Sequence, residues 1–257
     1  MIIRKEQMDE LGKAVSRVFE DEMVIHLAEF SPPLFNAVKE DQLRKAIRLG
    51  VRRGGEYGLT FRGPVRLYLE LMLLFGSHFD TDPQYSWATE ILKGHDSIPQ
   101  MERAENLYEK TLDYRKNVAG PADNYTLKAL TSMSALAQQP LRVSAANFVP
   151  SMLEEMARIY PQKTTYVGEE RLKVLIERGA AAARNYGFST VRAIALPVVL
   201  MFAFGHGCLD DPLYPWIANT LQDSAIADPD GRAKRLEKKA MTWLDHVLTY
   251  FDEGARA

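Results

Sequence analysis

The sequence predicts an all-α protein built from two tandem, internally duplicated helical domains related by a pseudo-twofold axis. Three observations predict this class. The stretch DPQYSW at 82–87 returns as DPLYPW at 211–216, an offset of 129 residues. Apolar residues recur at spacings of three and four along most of the chain, as in amphipathic helices. No segment alternates apolar and polar residues with the period of two that a half-buried strand requires.

The duplication sets the predicted domain organisation. At the 129-residue offset the register holds without a gap from Phe19/Phe148 to Leu107/Leu236. A period this long indicates two copies of a small domain, because solenoid units repeat every ~20 to 50 residues. We therefore predict one helical copy over 1–118, a helical linker over 119–145 and a second helical copy over 146–257. The matched positions that we assign to the shared fold are Gly58/Gly187, Asp82/Asp211, Pro83/Pro212, Tyr85/Tyr214 and Trp87/Trp216.

The first two predicted helices of each copy follow from apolar spacing. An amino-terminal helix carries Leu11, Val15, Phe19, Met23 and Leu27 at spacings of three or four. A second helix starts near Leu43, and its counterpart starts near Leu172. Both end at a glycine in YGLT or YGFS, because glycine readily takes the left-handed conformation that closes a helix. We expect Thr60 and Ser189 to cap the helix that follows.

The third helix and the corner after it are predicted from glycine and proline. The helix runs to Phe75 or Phe204, where a glycine ends it. The Asp-Pro pair, Asp82-Pro83 or Asp211-Pro212, then favours a new helix start, because proline suits the first helical turn and Asp accepts hydrogen bonds from the amides just beyond. Tyr85, Trp87 and their counterparts are expected to anchor this corner against the preceding helices. A last helix closes each copy, and the linker over 119–145 is expected to hold one more short helix.

Composition limits the function classes. The formal net charge is −2 and hydrophobic residues make up 46% of the chain, so a core is predicted and no overall attraction to nucleic acid. Cys208 is the one cysteine, which excludes an internal disulfide. The charged start MIIRKEQMDE does not resemble a signal peptide, and the longest apolar runs are shorter than the ~20 residues of a membrane span. We expect a cytoplasmic protein.

The two corners carry residue types that occur in catalytic and metal sites. GHGCLDD at 205–211 offers His206 and Cys208, but they lie two residues apart, whereas a thiol and its base normally come from separate segments. His78, Asp80 and Asp82 resemble metal ligands, although the EF-hand pattern fails because Tyr85 stands where its glycine belongs. We predict no catalytic residue, no cofactor and no metal. A metal-dependent hydrolase at these His/Asp corners is kept as an alternative.

The two copies differ most in charge on the second helix. The first copy gathers basic side chains there and nearby, whereas the matching positions of the second copy are mostly small or apolar, including the run GAAAA at 179–183. Either the basic residues form a solvated face while the alanines pack against the other copy, or the basic face docks an acidic protein surface. The residues proposed for partner binding are Arg44, Lys45, Arg48, Arg52, Arg53, Arg62 and Arg66.

Four stretches resemble a family of small helical accessory proteins. They are MIIRKEQM at 1–8, FEDEMVIHL at 19–27, YGL at 57–59 and FGSHFDTDPQYSWATEIL at 75–92. Members of that family are encoded beside spike-tip (PAAR) and effector genes of bacterial type VI secretion systems. Most carry proline where Ser86 stands here, and they have a shorter, single-copy form. The resemblance implies a non-enzymatic co-adaptor or chaperone that binds a secreted effector, with an immunity protein that neutralises a toxin as the alternative.

Overall fold

The computed structural model describes residues 5–32, 35, 38–137 and 139–254, and these residues form helices joined by turns and loops, without a β-strand. This confirms the all-α class. The first half of the chain consists of α1 (Lys5–Phe30), α2 (Glu40–Glu56), α3 (Arg62–Phe75), α4 (Ser86–Lys93) and α5 (Gln100–Tyr114). The predicted linker helix is α6 (Asn124–Ala137). The second half consists of α7 (Phe148–Ile159), α8 (Pro161–Val167), α9 (Glu169–Asn185), α10 (Val191–Phe204), α11 (Pro215–Leu221) and α12 (Pro229–Gly254).

Helix bounds recur at the 129-residue offset. Both ends of α2 and α9 correspond at this offset, and so do both ends of α3 and α10. Backbone angles repeat as well: Gly76 has φ 92° and ψ 154°, and Gly205 has φ 91° and ψ 155°. Asp82 and Asp211 both lie in extended conformation with ψ 126°. The two halves therefore turn their chains at matching residues in the same way.

The helix ends confirm the predicted glycine turns but not the predicted N-cap residues. Gly58 and Gly187 take positive φ of 68° and 79°, as their turns require. The predicted capping residues were wrong. Phe61 and Thr190 are the N-caps of α3 and α10, and only Thr190 bonds through its side chain. Thr60 and Ser189 are instead held by Gln100 and Asp230, from the starts of α5 and α12.

The Asp-Pro corners take the predicted cap and aromatic anchors. The amide of Gln84 donates to Asp82 at 2.8 Å, and the amide of Leu213 donates to Asp211 at 2.9 Å. Phe75 contacts the rings of Tyr85 and Trp87. The rings of Phe204, Tyr214 and Trp216 repeat this arrangement in the second half.

The prediction that the Asp-Pro pair starts a helix holds in the first half only as a short 3-10 helix, and it was wrong in the second half. Pro83 opens only the 3-10 turn Pro83–Tyr85 before α4. Pro212 is in no helix: together with Leu213 it forms a turn, and Pro215 is the proline in the first turn of α11. The break lies at Tyr214, whose φ of −125° and ψ of 54° are not helical. Tyr85 has nearly the same angles, φ −124° and ψ 43°, although Ser86 follows it, so the break belongs to the shared corner and does not depend on Pro215.

The halves share one interior. Buried residues of both halves belong to a single hydrophobic cluster that also includes Ala129 and Leu136 of α6. Helix α6 packs along α12, and α9 packs against the Pro83–Tyr85 turn of the first half. The outer faces of both halves are therefore fixed relative to one another. None of the described helices combines the length and apolar character needed to cross a membrane.

Candidate functional site

The repeated corners meet each other at the junction of the halves. Asp82 is 1% exposed and Asp211 is 2% exposed. Oδ2 of Asp82 accepts the amide of His206 at 2.6 Å, and Oδ2 of Asp211 accepts the amide of Ser77 at 2.8 Å. Because Ser77 and His206 correspond at the 129-residue offset, the exchange is reciprocal. Each carboxylate therefore caps its own corner and also ties the two halves together.

Glycine makes this contact possible. A Cβ placed on Gly205 would lie 2.5 Å from the carbonyl oxygen of Phe75, and one on Gly76 would crowd the carbonyl of Phe204 equally. Real Cβ atoms essentially never approach an atom under 3.0 Å. Gly76 and Gly205 therefore serve two purposes: they end α3 and α10, and they let the two backbones touch.

The corner histidines face each other across the junction of the halves. The rings of His78 and His206 are 6.2 Å apart, and burial lowers the pKa of both, which favours neutral imidazoles. Asp80 is bound by Arg53 at 2.7 Å and by the hydroxyl of Tyr57 at 3.0 Å. Within the described ranges no group of three or more His, Cys, Asp or Glu is arranged to hold a metal ion.

Cys208 lacks the surroundings of a nucleophile. Its side chain is buried, and burial raises the pKa of the thiol well above its usual value, whereas a nucleophilic cysteine needs a stabilised thiolate. The ring of His206 contacts Thr81 and Arg178. Cys208 behaves as the small packed hydrophobe that its alignment with Phe79 indicates.

The predicted basic face is largely neutralised by the chain's own carboxylates. Arg44 binds Glu20 and Asp21 of α1, and Arg48 also binds Glu20. Arg62 pairs with Glu22, which also belongs to α1. These ion pairs are intramolecular and nearly all exposed, so each contributes little to stability. They nevertheless occupy the guanidinium groups that an acidic partner would need.

The other residues that the sequence proposed for partner binding differ in exposure and in ion pairing. Arg66 binds Glu70, one turn along α3. Arg53 was wrongly grouped with a surface patch, because its side chain turns inward to the buried Asp80. Lys45 and Arg52 are exposed, and no ion pair is formed by either within the described part of the chain. Two cations remain of the basic docking face that the sequence predicted.

The small residues of 179–183 pack mainly within their own half. A Cβ on Gly179 would lie 2.7 Å from Cγ2 of Val198, so the glycine allows α9 and α10 to approach closely. Ala180 and Ala183 are buried. We expected the alanines of this run to pack against the other copy; the contacts described here are instead with α10 of the same half.

Lys163 is a buried cation that sequence reasoning missed. It is 4% exposed, and its ammonium donates to the carbonyl of Phe202 and to the hydroxyl of Tyr85 at 3.5 Å. The first contact satisfies a carbonyl in the last turn of α10, where a positive charge is favoured. A signal was present in the sequence: the first copy has Leu34 at the matching position, so an apolar residue in one copy corresponds to a cation in the other.

The buried ammonium predicts a specific dependence of stability on pH. Burial lowers the pKa of Lys163 from 10.5 to about 8, partly opposed by Asp82. Between these values the unfolded chain holds a proton that the folded chain has lost, so the free energy of unfolding rises with pH. From pH 7 to 9.5 this contribution amounts to about 2 kcal/mol. Urea titrations at both pH values should show the rise in the native chain and not in Lys163→Met; equal pH dependence in both would contradict it.

A cavity of about 590 Å³ lies beside Lys163, between α3, α6, α10 and the end of α12. Its polar groups include Thr126, Tyr160 and His246. The remaining walls are mainly apolar and aromatic, with contributions from Leu73, Leu74, Ala129, Leu130, Met133, Phe202, Ala203, Trp243, Val247 and Phe251. Ligand pockets typically have volumes of ~300 to 1,000 Å³ and mostly apolar walls, so this space has the dimensions of a small-molecule site.

An apolar stripe is exposed on α5. Met101, Tyr108 and Leu112 fall on one face at spacings of seven and four, and they are 56%, 54% and 48% exposed. Single exposed hydrophobes are ordinary, but three large ones aligned on a helix form a patch of the kind that binds proteins.

The linker helix α6 covers the matching face of the second half. Met241 of α12, which corresponds to Leu112, lines a crevice with side chains of α6. Glu237, which corresponds to Tyr108, binds Arg192, and Arg192 donates to the carbonyls of Ala137 and Gln139 at the end of α6. In the first half Gly63 and Tyr108 replace this Arg-Glu pair. The first half therefore lacks the groups that hold α6 on the second.

In comparisons with known proteins no family model, no curated protein and no solved structure matches the chain.

Proposed function

We propose that this chain is a non-enzymatic protein-binding accessory factor, a co-adaptor or chaperone for loading a type VI secretion effector. The observation that carries the proposal is the exposed apolar stripe of Met101, Tyr108 and Leu112 on α5. The basic face is a weaker candidate for the contact, because α1 already supplies carboxylates to Arg44, Arg48 and Arg62. The interface is accordingly assigned to α5.

The proposed occupant of the stripe is an amphipathic helix of the partner with basic side chains beside its apolar face. Helix-in-groove recognition uses apolar anchors at helical spacing, and α6 on α12 provides an example of such a contact within this chain. The exposed charged residues of α5 itself are mainly acidic, whereas the basic Arg115 and Lys116 follow its last turn, near Leu112. Those of α5 are Glu102, Glu105, Glu109, Lys110 and Asp113. The acidic side therefore lies around Met101 and Tyr108. Acidic neighbours favour a basic partner and steer its association.

The test is co-purification of the chain with the effector encoded beside it, followed by titration of the two purified proteins. Tyr108→Asp is expected to weaken binding at least tenfold, because aromatic anchors dominate such interfaces and a carboxylate would add to the acidic surroundings. Val174→Asp is the matched control: Val174 is 39% exposed on α9, away from the stripe. It should bind as the native chain does.

The outcomes separate the alternatives. Native binding that survives Tyr108→Asp and Leu112→Asp removes α5 as the interface. If those variants bind but the charge reversals Arg48→Glu and Arg52→Glu do not, the basic face is the contact. Deletion of the gene should stop secretion of the effector without harming the cell. Deletion that kills cells in contact with siblings would favour an immunity protein instead.

A further inference from the structure

The cavity beside Lys163 is separate from the α5 stripe, and it combines apolar walls with one buried charge. Within the described residues no carboxylate lies at ion-pair distance from Lys163. The buried Asp82 attracts the ammonium from farther away, but its oxygens accept hydrogen bonds from Gln84 and His206. The ammonium lies 4.7 Å from the ring centroid of Phe202 and 5.7 Å from that of Tyr85. Cation–π contacts of this kind offset part of the cost of burial, but they supply no counter-ion.

The contacts that Lys163 makes within the described residues do not use all of its hydrogen-bond donors. An ammonium has three donors, and the described residues provide two acceptors, the Phe202 carbonyl and the Tyr85 hydroxyl. Capping α10 does not by itself require a charge, since the neutral side chain of Gln84 binds the preceding carbonyl, Met201, at 3.0 Å. A neutral amide could serve the helix end; a cation at the wall of an apolar cavity fits an anionic ligand.

We propose that the cavity binds a single-chain amphiphile with a carboxylate head, a fatty acid, whose head group accepts a hydrogen bond from Lys163. A carboxylate on a buried ammonium forms a charge-assisted hydrogen bond, roughly twice as strong as a neutral one. The hydrocarbon chain lies against the apolar side chains of α3, α6 and α12, represented by Leu73, Met133 and Phe251. Burial of each CH₂ group contributes about 0.8 kcal/mol, so chain length sets the affinity and the head group sets the selectivity.

The experiment compares dodecanoate with dodecanol, which share a tail and differ in head-group charge. Each is used at pH 7 to displace an environment-sensitive apolar dye from the full-length native chain and from Lys163→Met. The native chain is expected to bind dodecanoate about tenfold more tightly than dodecanol, as the charge-assisted bond requires. Lys163→Met keeps an apolar side chain of similar length, so it should bind dodecanol as well as the native chain and lose the preference for dodecanoate.

Two further variants keep the test decisive. Lys239→Met is the control for removing a positive charge, because Lys239 binds Thr220 elsewhere on the molecule, and it should retain the preference. Ala203→Trp fills the cavity and should abolish binding of both ligands, which locates the site even where Lys163→Met fails to fold. Native protein that binds neither ligand, or binds both equally, overturns the proposal. So does displacement of the dye by apolar peptides but not by dodecanoate.

The proposed fatty-acid site and the proposed adaptor role can be tested independently of each other. Loss of dodecanoate binding in Lys163→Met with intact effector binding would support the cavity alone. Loss of effector binding in Tyr108→Asp with intact dodecanoate binding would support the stripe alone.

Discussion

Asp82→Ala is expected to lower the free energy of unfolding by about 3–5 kcal/mol. The carboxylate is buried and accepts from the amide and side chain of Gln84 and from the amide of His206. Alanine would leave three donors without acceptors, and each unsatisfied buried donor costs ~1–3 kcal/mol. The loss combines a local cap with a contact between the halves, which is why it should exceed that of an ordinary N-cap. Urea unfolding followed by circular dichroism measures it.

Asp96→Ala is the control, because that side chain is 92% exposed. It should change stability by less than ~0.5 kcal/mol. Asp211→Ala should resemble Asp82→Ala, and the double variant should lose less than the sum of the two, because both carboxylates hold the same junction. A loss near 1 kcal/mol for Asp82→Ala would show that the carboxylate acts as a cap only.

Gly205→Ala is expected to destabilise the chain by about 4 kcal/mol or more. Two costs add. The backbone at Gly205 has φ 91° and ψ 155°, a region that is essentially restricted to glycine and costs other residues ~1–3 kcal/mol. The new methyl group would also lie 2.5 Å from the Phe75 carbonyl, which belongs to the backbone and cannot rotate away. The junction would have to open to admit it.

Gly55→Ala is the matched control, and it should change the free energy of unfolding in the opposite direction. Gly55 lies in the last turn of α2 without a positive φ, and a Cβ there would meet nothing within 4 Å. Alanine in an exposed helix interior is favoured over glycine by ~0.5–1 kcal/mol, so this variant should be more stable than the native chain. Chemical denaturation of both variants under one condition checks the pair. A tolerated Gly205→Ala would indicate that the two corners do not touch in solution.

Local signals predicted much of the fold and only part of each site. The positive φ of Gly58 and Gly187 and the capping bonds of Asp82 and Asp211 depend on neighbours in sequence, so spacing alone was enough to predict them. The assignment of Thr60 as a cap failed for the opposite reason. Its hydroxyl is held by Gln100, forty positions away, and no local sequence pattern predicts that hydrogen bond.

For the basic face, the sequence predicts which arginines share a surface but not whether they are free to bind a partner. The arginines of α2 and α3 do share a surface, as helical spacing predicts, but α1 brings Glu20, Asp21 and Glu22 onto them. Whether a charged residue is available to a partner depends on which helix packs above it. The same holds for Lys163, whose charge becomes notable only because α10 and Tyr85 enclose it.

What the sequence determined by itself is the all-α class, the turns at matched glycines and the capped Asp-Pro corners, because these follow from backbone preferences and from hydrogen bonds between residues close in the chain. The tertiary structure decided the rest: the reciprocal bonds between the corners, the neutralised arginines, the enclosed Lys163 and the uncovered stripe on α5. These features depend on contacts between residues distant in sequence, and the free energy of such contacts comes from burial and from complementary partners that only the folded chain brings together.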